Sequence, residues 1–119
     1  MDKPQLKKPY DLEERTLQYT KDVISFINKV PKSLSNIEIA KHLIRSAGSV
    51  GANYIEANES LGKKDFVMHA RIARKEAKES RYWLQLIECS NDLHPLRDRL
   101  IQESTELLKI LSKIIEKST

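Results

Sequence analysis

The sequence predicts an all-α protein, an up-down antiparallel four-helix bundle. Three observations carry that expectation. Apolar residues recur at spacings of three and four through four long stretches, the period of an amphipathic helix rather than of a strand. Pro4, Pro9, Pro31 and Pro95 all fall where a helix would be absent or just starting. With 6% aromatic residues and three glycines in 119 residues, the chain lacks the turn, β-branched and aromatic content that sheets need.

The first helix is expected from Leu12 to Val30. Asp11 reads as its N-cap, with Glu14 completing a capping box. Leu12, Thr16, Tyr19, Val23, Phe26 and Val30 form the inward stripe, widened by Leu17, Ile24 and Ile27. The second helix is expected over Asn36–Asn58, opened by a Ser35/Glu38 capping box. Its stripe is Ala40, Leu43, Ile44, Ala47, Val50, Tyr54 and Ala57. Gly48, Gly51 and Ala52 are small residues inside this helix. An interior glycine costs about 1 kcal/mol against alanine, so their presence predicts a place where another helix comes very close.

The third helix is expected from Lys63 to Ser90, with Phe66, Ala70, Ala73, Ala77, Ser80, Leu84 and Ile87 facing inward. The fourth is expected over Pro95–Lys117, with Pro95 in its first turn. Leu100, Leu107, Leu111 and Ile114 form one line on it; Ile101, Leu108 and Ile115 form a second. Short connectors make successive helices antiparallel. Residues 1–10 read as a flexible basic tail and 11–119 as one bundle domain.

Net charge is +4 and the pI about 9.2, mildly basic. Cys89 is the single cysteine, so no intrachain disulfide can form and a reducing compartment is expected. The opening MDKPQLKKPY has no apolar h-region. No apolar run approaches the roughly 20 residues of a membrane-spanning helix. The expectation is a cytoplasmic protein without a membrane partner.

The stretches IAKHLIRSAGSVGANYIEANES and KKDFVMHARIARKEAKESRYWLQLI resemble the small four-helix proteins encoded in intervening sequences of bacterial 23S ribosomal RNA genes. On the second helix the family pattern matches Arg45, Ser49, Asn53, Glu56 and Ala57. On the third it matches Lys64, Asp65, Phe66, Ile72, Ala73 and Ser80. Where the family usually has Gly after the Glu-Ala pair, this chain has Asn58. The resemblance covers about residues 11–117. It implies the same bundle and a ring-shaped homopentamer. The family is also similar to the accessory variability proteins of diversity-generating retroelements, whose role is linked to nucleic acid. Fold alone does not fix function.

No catalytic constellation is recognisable. His42, His69 and His94 fall on different elements, no Glu-x-x-His pair exists, and no Cys/His cluster suggests zinc. Cys89 reads as a small buried side chain. Gly48-Ser49-Val50-Gly51 lies inside a helical pattern and lacks the following Lys-Ser/Thr of a phosphate loop. The expectation is a non-enzyme with no cofactor and no metal.

Two surfaces stand out instead. Lys41, Arg45, Gly48, Ser49, Ala52, Glu56 and Glu59 lie opposite the inward stripe of the second helix. A subunit contact through Arg45, Gly48, Ser49, Ala52, Glu56 and Trp83 would account for the small residues and let Arg45 and Glu56 pair; a plain wet surface is the alternative. Met68, Ile72, Trp83 and Leu86 give the third helix a second apolar side, which either another subunit covers, with Trp83 as anchor, or the first and fourth helices do.

The other surface is basic. Segment 63–90 holds seven Lys/Arg and four acids, a net of +3, and the tail carries +2, while 11–30 carries −1 and the rest balances. Lys64, Arg71, Arg74, Lys75, Lys78 and Arg81 share about a third of the helix circumference. Such a stripe can hold phosphates; a solvated face is the bland alternative. Glu76 and Glu79 on the same helix stand against it, and Tyr82 is the lone aromatic nearby. The reading is a homo-oligomer, a pentamer by the resemblance, that binds RNA or DNA without sequence preference. The alternative is a structural or adaptor oligomer that binds another protein and no nucleic acid.

Overall fold

The computed structural model describes residues 9–119; of the tail expected at residues 1–10, residues 1–8 lie outside them, and Pro9 and Tyr10 belong to the first helix instead. Four helices follow in order: α1 (Pro9–Ile27), α2 (Leu34–Asn58), α3 (Lys63–Leu86) and α4 (His94–Ser118), with a short 3₁₀ turn at Asn91–Leu93 before α4. Among the described residues there is no strand. The all-α antiparallel bundle is therefore as the periodicity predicts. Its register can be read from ties between helices. Thr20 Oγ1 donates to the Ala47 carbonyl at 3.1 Å, Arg45 reaches Glu76, and Arg81 reaches Thr105. The principal extents are 44 × 33 × 19 Å, a flattened bundle. Of the adjacent helix pairs α1 and α4 touch least, and Arg15 of α1 reaches Glu103 of α4 through two bonds of 2.7 and 2.9 Å.

Tyr19, Val23, Phe26, Leu43, Ala47, Val50, Ala73, Ala77, Leu84, Leu107 and Leu111 form the centre of the core. Ala70, Ala73, Ala77 and Ser80 are fully enclosed, so the small middle of α3 does mark close packing. Buried hydroxyls spend their protons on their own helices. Thr16 donates to the Glu13 carbonyl, Ser46 to that of His42, Ser80 to that of Glu76 and Ser104 to that of Ile101. The Tyr19 hydroxyl is buried without a bond of ordinary length. Burial pushes its pKa up to about 12, although the hydroxyls of Ser80 and Ser104 nearby pull the other way.

Several boundaries differ from expectation. α1 begins at Pro9, so Asp11 lies in its first turn rather than capping it. It ends at Ile27, and Lys29 and Val30 close a tighter turn onto the carbonyls of Phe26 and Ile27. α2 is capped by Ser33, whose Oγ accepts from the Asn36 amide at 3.2 Å; the Ser35/Glu38 box is unused. Starting at Ser33 turns Asn36 inward, where it is 1% exposed. Its side-chain amide donates to the carbonyls of Pro31 (2.9 Å) and Glu88 (2.8 Å), and its oxygen accepts from the Glu88 N–H at 3.0 Å. That clasp fits the extended backbone that starts at Ile87, because α3 ends at Leu86, four residues before the expected end.

The apolar stripes are also narrower than expected. Leu17, Ile24 and Ile44 are 52%, 41% and 41% exposed, and Phe66 is half-buried rather than enclosed. The two glycines of α2 part company. A Cβ on Gly51 would lie 2.9 Å from Thr16 Oγ1, so the close helix is α1 of the same chain; a Cβ on Gly48 would meet nothing within 4 Å.

Candidate nucleic-acid interface

α3 separates its charges between its two neighbours. On the α2 side, Arg45 Nη2 donates to Glu76 Oε1 at 3.2 Å and to Glu79 Oε2 at 2.7 Å. Trp83 Nε1 donates to the same Glu79 oxygen at 3.1 Å. The His42 ring stacks on Trp83, with centroids 4.6 Å apart. The Trp83 N–H, and then the Arg45 guanidinium, hold the Glu79 carboxyl below its ordinary value. Those two carboxylates raise the Arg45 pKa in turn. The acids that stood against a phosphate-binding stripe are therefore engaged by Arg45 on the α2 side, which offsets one of their two charges.

On the α4 side the cations remain uncompensated. Arg74 Nη1 approaches Ser112 Oγ at 3.5 Å and Arg81 Nη1 donates to Thr105 Oγ1 at 3.1 Å. Arg71, Arg74, Lys75 and Lys78 line a groove of about 530 Å³ with Leu108 and Ser112 of α4. It continues into a second of about 680 Å³, where α4 adds Lys109 and Lys113, with Glu116 the acid in its lining. Among the described residues, none of Arg71, Arg74, Lys75, Lys78, Arg81, Lys109 and Lys113 is paired to a carboxylate. Toward the N-terminus of α3, Arg71 and Lys75 also border an apolar groove of about 670 Å³. It contains Val67, Met68 and Ile72, with Lys63, Lys64 and Asp65 also in its lining.

Lys109 and Lys113 are missed in sequence because segment 91–119 has no net charge. The segregation appears only when α4 is oriented. Glu103 turns to Arg15 of α1, while Lys109 and Lys113 share the groove with Arg74.

The model of the 23S rRNA-intervening sequence proteins matches residues 9–117. The chain belongs to that family. This family member is also similar to a solved structure, a protein of unknown function from the S23 ribosomal protein family of Bacteroides thetaiotaomicron. The two are 26% identical, with a TM-score of 0.78 over 91% of this chain and 97% of the other. No curated protein matches. The family and the neighbour establish the bundle.

The residues singled out for a subunit contact fall on the outer side of α2 and beside it. Arg45 finds its carboxylates within the family member's own chain. Ser49 Oγ accepts from Asn53 Nδ2 at 2.8 Å. Ala52 and Glu56 are exposed, and Trp83 is half-buried over His42. Leu17, Ile24, Ile37, Ile44 and Ile55, not singled out for contact in the sequence, are exposed apolar residues of α1 and α2. Burial raises the Cys89 pKa, and His94 Nε2 lies 3.2 Å from the Cys89 carbonyl, not from its thiol. Among the described residues no group of three or more His, Cys, Asp or Glu could hold a metal ion, and no helix is long and apolar enough to cross a membrane.

Proposed function

We propose that this 23S rRNA-intervening sequence protein is a non-enzymatic homo-oligomer that binds the phosphate backbone of RNA or DNA along the α3–α4 groove. The carrying observation is the division of charge on α3. Arg45 takes up Glu76 and Glu79 on one flank, and Arg71, Arg74, Lys75, Lys78 and Arg81 border the α4 flank, with no carboxylate partner among the described residues. Clustered like charge costs stability unless a counter-charge arrives, and arginine's planar fork suits phosphate oxygens. Lys64 lies at the margin of this site.

A single groove binds weakly, at about 10⁻⁴–10⁻⁶ M for sequence-independent contacts at physiological salt. Several copies on one assembly would raise this by avidity. The exposed apolar residues Leu17, Ile24, Ile44 and Ile55 on α1 and α2 support such an assembly. A head-to-tail contact whose rotation closes gives a ring; the family resemblance points to five subunits. Gly48, whose missing Cβ serves nothing within the chain, fits close approach by a neighbour beside Ala52 and Glu56.

The test is a salt titration of oligonucleotide binding, with Arg74→Glu/Lys78→Glu as the control variant. Affinity should fall steeply with salt, about equally for unrelated sequences, and the variant should bind more weakly with a shallower slope. Unchanged affinity in the variant refutes the groove and leaves a protein-binding adaptor as the better reading. A monomer mass in solution at micromolar concentration refutes the assembly.

A further inference from the structure

The cationic face of α3 is bordered differently on its two sides. Toward α4 it meets the hydroxyls of Thr105 and Ser112. On the outward side, Lys64, Arg71, Lys75 and Lys78 are interrupted by Met68 and followed by Tyr82, which are 47% and 55% exposed. Arg71 and Lys75 border both the α3–α4 groove and the apolar groove that holds Met68 and Ile72. Tyr82 meets Trp83 in a T-shaped pair, with centroids 5.0 Å apart and planes at 73°, and about half of the tyrosine remains open to solvent.

Phosphates alone have no use for apolar side chains set among the cations. A duplex keeps its base faces in the stack and presents phosphates and groove edges. A single strand presents phosphates and unstacked bases together, and base faces gain free energy against aromatic side chains with little regard to sequence. The axial distance from Lys64 to Lys78 is about 21 Å at 1.5 Å per residue. That is the length of about six base pairs of duplex, and of fewer nucleotides in an unstacked strand.

We propose that the polyanion held here is single-stranded nucleic acid. Its phosphates lie on Arg71, Lys75 and Lys78, with unpaired bases in the Met68–Ile72 groove at one end and against Tyr82 at the other. The inference rests on the backbone-binding reading above and adds to it a preference for unpaired strands. An acidic amphipathic peptide suits the surface less well, because the apolar floor lies at one end and the rest of the path is cationic.

The test uses the full chain and fluorescence anisotropy at low salt. The probes are a single strand of about twelve nucleotides, the same strand annealed to its complement, inorganic polyphosphate, and an acidic amphipathic peptide. The single strand should bind about tenfold more tightly than the duplex. Met68→Ser/Tyr82→Ser should remove that preference while leaving duplex and polyphosphate binding unchanged. Both positions are exposed, and circular dichroism verifies the fold. Equal binding of single strand, duplex and polyphosphate overturns the inference but leaves the backbone reading standing, as does a preference that survives the double substitution. Tightest binding of the peptide assigns the apolar groove to a protein partner and also overturns it. If the unmodified protein binds none of the three polyanions, both fall.

Discussion

The two flanks of α3 use similar residues for opposite ends. Toward α2, one arginine meets two carboxylates, and a tryptophan N–H completes the set. Toward α4, arginines and lysines meet hydroxyls and other lysines, with Glu116 in the groove lining and no carboxylate paired to them among the described residues. The first flank engages both carboxylates within the chain and ties two helices together. The second is open, and its repulsion is relieved only by something outside the chain. Charge count alone does not separate structural from binding surface; whether each charge is already answered does.

The sharpest way to break this contrast is to reverse the open flank. Arg74→Glu/Lys78→Glu should weaken oligonucleotide binding about 100-fold at low salt, with a change in thermal stability of no more than about 0.5 kcal/mol, as for ordinary surface positions. Anisotropy and thermal melts read the two quantities on one sample. The converse substitution, Arg45→Ala, leaves the largely buried Glu76 unpaired. It should cost about 1–2 kcal/mol of stability while oligonucleotide affinity holds.

A smaller effect follows from pH. Glu79 is held below its ordinary pKa, so its contribution to stability is present at neutral pH and is lost as pH falls through the folded-state value. Glu79→Gln should flatten the stability profile at the acid end of a series of melts, and binding by the α4 flank should not follow it. Tyr19 works in the other direction. Its pKa is raised to about 12 by burial, above that of the unfolded chain. The stability tied to it is therefore full below about pH 10 and is lost as pH rises toward 12. Tyr19→Phe should remove that alkaline loss and change neutral-pH stability by less than about 1 kcal/mol, since the hydroxyl has no bond of ordinary length to lose.

The heptad pattern made the four helices legible, with Ala47, Val50, Tyr54, Ala73, Ala77, Leu84 and Leu107 enclosed as expected. The cations of α3 were legible as a stripe for the same reason, since spacing along one helix is local information. What was not legible depends on neighbours. Arg45 and Glu79 are 34 residues apart, and no spacing rule joins them. Lys109 and Lys113 vanish into a neutral segment until α4 is oriented against α3. Leu17, Ile24 and Ile44 have the right period, but the core is too narrow to enclose them. Gly48 and Gly51 are the same residue three positions apart, and only the position of α1 tells them apart. Ser33 won the capping role over Ser35 because that start turns Asn36 toward the Pro31 and Glu88 backbone, a reward invisible until the chain beyond α3 is in place.

Asn36 has a consequence for how the bundle breathes. The Glu88 N–H belongs to an irregular stretch outside any helix, where amide protons ordinarily trade with solvent quickly. Its acceptor is the side chain of a residue 1% exposed, so the proton stays put until the α2 start and the α3 end separate. Deuterium uptake at that one amide is then a gauge of how often this end of the molecule opens, distinct from the fraying of helix tips. Asn36→Ala should turn one of the slow sites in the protein into a fast one.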